Sequence, residues 1–330
     1  MKKVILIFLC IALMLSVCAC APKSEPSGRT LFTFDGEVVK EEEFIFSFRN
    51  IITYFEGRFE TGFSEMLDIE ISDGVTLAQL CEEYALQEVG YAAVVRSIIK
   101  ENSIPWGADN QDKYDTMMEY YISLDGGEAA LEEKLKSNGM TLDMLKESVR
   151  QYVYLSAAGE YLFENGILPA PTENEIRAEF DGGYTKITTI CFNTAGLSDK
   201  ELDAIYIKVG SVKARYDRGE SLEALMKEYG GSENGTYLIN DGGSFDTALV
   251  TAAFEAGYGV LSEAKSENAY HVFIRELPTE EDFNGKYDEI DAALRDARLT
   301  KYIDTRYNEA DFTVNEKLYD TIIENILSEY

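Results

Sequence analysis

Leu168-Pro169-Ala170-Pro171-Thr172-Glu173-Asn174-Glu175-Ile176 divides the chain into two parts of different character. Two prolines two residues apart cannot sit inside a helix, because each removes a backbone donor and clashes with the turn before it. Thr172 then offers an N-cap hydroxyl, and Glu175 stands where a capping box needs its acid, so a helix is predicted over Glu173–Phe180.

Working back from this break, Thr141 caps a predicted helix over Leu142–Glu164, with Asp143 in its first turn. Two shorter helices precede it, Glu128–Ser137 ended by Asn138-Gly139 and Gln111–Leu124 ended by Asp125-Gly126-Gly127. The strongest helical pattern runs over Thr76–Lys100, where Leu77, Leu80, Tyr84, Val89, Ala92, Val95 and Ile98 mark one broad face. Another covers Lys40–Arg58 through Phe44, Phe46, Phe48, Ile51, Ile52 and Phe55. Residues Leu31–Val39 alternate apolar and polar around Asp35-Gly36, a hairpin signal. Residues 31–170 therefore read as a mainly helical domain with a small strand entry.

Working forward, residues 171–183 read as a helix closed by a turn at Asp181-Gly182-Gly183. A β-rich stretch, Tyr184–Phe192, is followed by helices over Asp199–Arg218 and Ser221–Tyr229. A loop over Gly230–Gly243, a short helix over Asp246–Glu255 and a strand over Tyr270–Ile274 complete a compact α+β domain, residues 184–278. Beyond Pro278, residues 279–330 carry helices over 285–309 and 314–328, charged on one face. The fold class expected for the whole is α+β.

The N-terminus has a separate meaning. Lys2-Lys3, the uncharged run from Val4 and the small residues before Cys20 have the layout of a secretory signal over residues 1–19. The run is shorter than the roughly 20 residues a membrane-spanning helix needs. Val17 and Ala19 match a lipobox, which implies that Cys20 is lipidated and tethers the protein to the membrane surface. Residues 20–30, rich in Pro, Ser and Gly, read as a flexible tether.

Composition narrows the partners. The 330 residues carry a formal charge of -30, and -32 once Lys2 and Lys3 are gone. So negative a field repels nucleic acid and anionic headgroups, which excludes both as ligands of the folded body. With a single histidine, neither a His-rich zinc site nor a Ser-His-Asp triad can be assembled, and no metal or cofactor is expected. Asp109–Asp115 has the look of a calcium loop, but Lys113 takes a ligand position and the required glycine is missing. Cys81 and Cys191 are left after the signal and lipid sites; they either pair or pack as small core residues, and their apolar surroundings favour packing.

Three passages resemble the SurA/PrsA-type foldases, which join a helical chaperone domain to a parvulin-type prolyl isomerase domain. Leu131-Glu-Glu-Lys-Leu-Lys-Ser-Asn-Gly-Met-Thr141 with Met144, Leu145 and Val149 is similar to a passage of the chaperone domain. Pro171-Thr-Glu-Asn-Glu-Ile176 with Phe180 is similar to the hinge helix. Gly219–Leu225, Ala252-Ala-Phe254, Gly259–Ser262 and Tyr270-His271-Val-Phe273 keep the order and spacing of the parvulin landmarks. The resemblance implies that residues 31–170 are chaperone-like, that residues 184–278 are parvulin-like, and that the C-terminal helices return to the chaperone domain. It assigns His271 and Ser266 to the catalytic network and Phe245, Leu249 and Phe254 to the apolar wall for a proline ring.

The departures are as informative. Thr189 stands where parvulins carry their first histidine, and the glycine-rich loop is replaced by Asn234–Asn240, with Glu233 and Asp241 as nearby candidates for a replacement group. Losing half of a coupled hydrogen-bond network leaves the remaining partner poorly oriented. Peptidylprolyl isomerase activity of the parvulin type is thus expected to be weak or lost, and His271 reads more readily as a core histidine. The implied function is an extracytoplasmic foldase or holdase for unfolded, newly exported polypeptides at the outer face of the membrane, its acidic exterior favouring basic clients. The competing expectation is a lipoprotein that binds one protein or cell-wall partner on an isomerase scaffold.

Overall fold

The computed structural model describes residues 28–34, 36–56, 66–72, 74–229, 231 and 233–330. The expected signal, the lipobox and Cys20 lie outside the described residues. These divide into two compact units: the chain up to Ala170 together with Asp296–Tyr330, and Pro171–Arg295. The class is α+β and mainly helical, as the periodicities require. Among the described residues no helix is long and apolar enough to cross a membrane.

The first unit opens with the hairpin β1 (Thr30–Phe34) and β2 (Glu37–Lys40), antiparallel with Phe34 opposite Glu37. Helix α1 (Glu41–Glu56) follows directly, burying Phe44, Phe46, Phe48, Ile51 and Ile52. A two-stranded ribbon that sequence periodicity did not signal, β3 (Glu70–Ser72) with β4 (Val75–Thr76), leads into α2 (Leu77–Glu101). Thr76 and Gln79 form a full capping box there. Helices α3 (Ala108–Leu124), α4 (Glu128–Ser137) and α5 (Leu142–Glu164) complete the run, Thr141 accepting from the Met144 backbone N–H as its position promised.

The chain's last segment belongs to this unit. Helix α11 (Tyr287–Glu309) carries the division between units at Arg295/Asp296, whereas the sequence reading divides the chain at 278/279. Gly159 of α5 lets Leu299 of α11 approach closely; a Cβ there would meet Leu299 Cδ2 at 2.8 Å. Strand β9 (Phe312–Val314) pairs antiparallel with β1, Phe32 opposite Val314. Helix α12 (Glu316–Leu327) buries Leu318, Ile322 and Ile326, one face at four-residue spacing, in the same core as Phe44 and Phe48.

The second unit begins with α6 (Glu173–Gly183), its capping box formed by Thr172 and Glu175. Asp181-Gly182-Gly183, expected as a turn, is the last turn of this helix: Phe180 is anchored in a core with Phe283 and Ile290, and the Tyr184 N–H closes on the Phe180 carbonyl. Tertiary anchoring outweighs the glycine penalty of about 1 kcal/mol per residue. Strand β5 (Tyr184–Asn193) is followed by α7 (Asp199–Tyr216) and α8 (Leu222–Tyr229).

The stretch expected as a loop over Gly230–Gly243 contains strand β6 (Gly235–Asn240), paired with β5 from Tyr184–Asn240 to Thr189–Gly235. After α9 (Thr247–Glu255), strands β7 (Leu261–Lys265) and β8 (Ala269–Glu276) complete an antiparallel sheet in the order β6-β5-β8-β7. A short helix, α10 (Glu280–Asn284), precedes α11. The sheet has a core on each face. Ile190, Phe192 and Val272 pack with Val209, Val212, Leu222 and Leu225 of α7 and α8. Ile187, Ile239 and Phe273 pack with Leu249, Val250 and Ala253 of α9.

Candidate functional site

Each unit holds one candidate site. In the second unit the period-2 alternation of β5 and β8 builds it. Thr189 and Cys191 share the α9 side of β5 with Ile187, and the register sets Cys191 opposite His271 and Thr189 opposite Phe273. Thr189 Oγ1 lies 3.4 Å from His271 Nδ1, and Cys191 Sγ lies 3.9 Å from His271 Nε2. The Cys191 thiol reaches Glu233 Oε2 at 3.2 Å. Asn234 holds the Glu233 segment in place: its Oδ1 accepts from the Cys191 N–H at 2.8 Å and its Nδ2 donates to the Met226 carbonyl at 3.4 Å.

These contacts form one polar chain. The thiol donates to the Glu233 carboxylate, and the His271 ring lies between the sulfur and Thr189, whose hydroxyl also lies 3.5 Å from the Val272 carbonyl. Electrostatics keep the chain neutral up to Glu233. Burial lowers the His271 pKa, opposed by the charges of Asp246 and Glu233, so the ring is neutral at neutral pH. Burial pushes the Cys191 thiol up to about 12, helped by the hydrogen bond and charge of Glu233 and by Asp246. A thiol held so firmly protonated is a hydrogen-bond donor and a poor nucleophile.

The other expected site residues are placed as follows. Leu249 is 1% exposed and fills the core under α9. Phe245 is half-buried, its ring 5.4 Å from that of Tyr237. Phe254, at the end of α9, has the Arg275 guanidinium 5.7 Å from its ring centroid, and its carbonyl accepts from Arg275 Nη1 at 2.7 Å. Ser266 lies in the β7–β8 turn, where it accepts from the Ala269 N–H at 3.1 Å; its hydroxyl serves the turn. His271 is thus joined to Thr189 and to Cys191–Glu233, with Ser266 engaged elsewhere. Asp241 is exposed beyond the end of β6.

Cys191 corrects the sequence reading. It is neither paired nor a core residue: both Cys81 and Cys191 are free, Cys81 is buried, and Cys191 is half-buried among polar groups. Arg275, which pins the end of α9 through the Phe254 and Ala256 carbonyls and also donates to the Thr185 hydroxyl at 2.9 Å, carried no signal in the sequence, since these partners are distant along the chain. Among the described residues no cluster of histidine, cysteine or carboxylates is built to hold a metal ion.

The first unit contains a cavity of about 1060 Å³ between β2, α1, α2, α5 and α11. Its size lies at the top of the range for ligand pockets, roughly 300–1,000 Å³. Phe46, Val95 and Ile303 form a buried apolar floor, and Tyr152, Leu155 and Leu299 present half-buried apolar walls. These residues come from helix faces whose neighbouring positions make the core, so the groove is the part of each apolar stripe that no other element covers. Nothing in the periodicity separates the two, and for that reason the groove was invisible in the sequence.

Comparison with models of known protein families finds no match, and comparison with curated proteins finds none either. Among solved structures the chain is similar to the foldase protein PrsA from Lactococcus lactis, 13% identical over 90% of this chain and 99% of that one, with a TM-score of 0.37. It is similar also to PrsA from Streptococcus pneumoniae, at 16% identity over 79% and 91% of the two chains with a TM-score of 0.35. PrsA from Bacillus subtilis is 20% identical over 75% of this chain and 94% of that one, with a TM-score of 0.29. The likeness to these PrsA structures is one of fold alone.

Proposed function

We propose that this chain is an extracytoplasmic folding factor that holds unfolded, newly exported polypeptides in the groove of its first unit, tethered through Cys20 at the outer face of the membrane. The groove is the observation that carries this function. An unfolded chain exposes apolar side chains, and a cavity of about 1060 Å³ with aromatic and aliphatic walls can take several of them from water. Each Å² of apolar surface so covered contributes about 25 cal/mol. A surface of that kind left open on a soluble protein marks a binding site. The order of chaperone-like and parvulin-like sequence passages points the same way.

The second unit fits a parvulin-like scaffold with weak or absent isomerase activity. Rotation about an X–Pro bond must cross about 18–20 kcal/mol. The Thr189–His271–Cys191–Glu233 chain consists of neutral groups closed on one another and on Glu233, with Thr189 where a second imidazole would stand.

Suppression of aggregation tests the holding function. A denatured client diluted into buffer should stay soluble with the protein and aggregate with Ala92→Trp, which fills the groove from α2, provided the variant keeps its thermal midpoint. Equal protection by both proteins would remove the groove from the function. No protection by either would favour a module for one specific protein or cell-wall partner. NMR exchange on an X–Pro peptide tests the second unit: acceleration that disappears in His271→Ala would show a working isomerase.

A further inference from the structure

The groove is as one-sided in charge as its walls are apolar. Six carboxylates line it against two cations. One cation, Arg96, is already held by Glu43 at 2.7 Å and by the Val38 carbonyl at 3.1 Å. The other, Lys40, is exposed at the rim. Several of the acids are likewise engaged: Glu42 accepts from the Gly28 N–H at 2.7 Å, and Glu147 accepts from Arg150 at 3.0 Å and from Gln151.

Glu88 differs from these. It projects from α2 next to Val89 and Ala92 of the lining, and Ser47 is its single hydrogen-bond donor among the described residues, Oγ to Oε2 at 2.6 Å. A carboxylate accepts at about four lone-pair positions, so most of its capacity remains for the cavity it lines. Burial raises its pKa above the ordinary carboxylate range, with the Ser47 hydrogen bond opposing. A carboxylate desolvated in this way gains most from a cationic partner that completes its hydrogen bonds.

Resting on the groove as the client site, we infer that it selects apolar segments that carry a lysine or arginine, whose cation pairs with Glu88 while its neighbours cover the walls. An apolar cavity alone would rank clients by hydrophobicity. An acceptor in its lining, among side chains that repel anionic segments, adds selection by charge.

Fluorescence anisotropy on the purified full chain tests this with two short apolar peptides of one sequence, the first with a central lysine and the second with norleucine there. The lysine peptide is expected to bind about ten- to a hundredfold more tightly at low salt, the range of a hydrogen bond to a charged group. The ratio should collapse toward one in Glu88→Gln. Equal affinities for the two peptides would overturn the inference and leave the groove as client site intact. A ratio that Glu88→Gln leaves unchanged would likewise overturn it. Binding of neither peptide would overturn the client site itself, and the inference with it. Should Glu88→Gln fail to fold, a third peptide with acetyllysine at the same place decides: affinity for it equal to that for the lysine peptide would refute the pairing.

Discussion

Replacing Glu329 by alanine strands a buried cation. Arg49 of α1 is 1% exposed, and its guanidinium meets Glu329 through Nη1–Oε2 at 2.7 Å and Nη2–Oε1 at 2.8 Å. It cannot swing away, because Gly139 closes the other side: a Cβ on Gly139 would stand 2.6 Å from Arg49 Cζ. Removing one partner of a buried pair costs about 3–5 kcal/mol, since the remaining charge keeps its desolvation penalty without its attraction. In a unit of roughly 200 residues each kcal/mol moves the thermal midpoint by about 2–4 °C, so Glu329→Ala should lower it by about 6–20 °C. Scanning calorimetry measures this, and a double-mutant cycle sharpens it. Arg49→Leu combined with Glu329→Leu should recover most of the loss, because an apolar pair needs no solvation. A single-mutant loss under about 1 kcal/mol would refute the account, as would a double mutant no better than the sum of the singles.

Four further outcomes are expected. Gly139→Ala, at φ +68° and against the guanidinium, should cost at least about 2 kcal/mol in chemical unfolding, and less in the Arg49→Leu background. Cys191 should react with iodoacetamide at pH 7 at least about a hundredfold more slowly than an unperturbed thiol, read by peptide mass spectrometry, and faster in Glu233→Gln. Asp282 should stabilise the second unit above about pH 4. Burial opposes its ionisation, but hydrogen bonds from Lys186 and Thr279 hold it at about 2, so that stability, about 2 kcal/mol at most, is lost as pH falls from 4 through 2. The acid-induced drop in thermal midpoint should shrink in Asp282→Asn, and an unchanged drop would place the titration elsewhere. Thr313→Pro should open the β1–β9 pairing that ties residues 312–314 to the entry hairpin, because Thr313 stands opposite Thr33 in the hydrogen-bonded pair next to the Asn315–Leu31 bond, seen as faster hydrogen exchange at Thr33.

Local chemistry made much of the fold legible. Thr172 with Glu175, Thr141 with its N3 amide, and the Asn138-Gly139 stop each act within one helical turn, so the elements they bound were readable from neighbours in sequence. Strands β6 and β7 were not. Gly235–Asn240 and Leu261–Lys265 lie at the two edges of the sheet, are short, and have half-exposed patterns; they become strands only because β5 and β8 offer ladders to pair with. Asp181-Gly182-Gly183 misled for the opposite reason, since a buried Phe180 carried the helix through residues that favour turns.

The candidate sites divide in the same way. From its sequence alone this chain could be read as a mainly helical α+β protein, strongly acidic, split at Pro169 and Pro171, with one histidine in a closing strand. Composition, caps and proline geometry act at short range or on the sum of charges, and need no partner. Tertiary structure alone decided that Cys191 and Glu233 complete the surroundings of His271, because strand register and the Asn234 hydrogen bonds join residues about 40 and 80 positions apart. It also decided which parts of five apolar faces stay open as a groove. Burial depends on what else packs nearby, and helical period cannot distinguish an apolar residue that is covered from one that waits for a client.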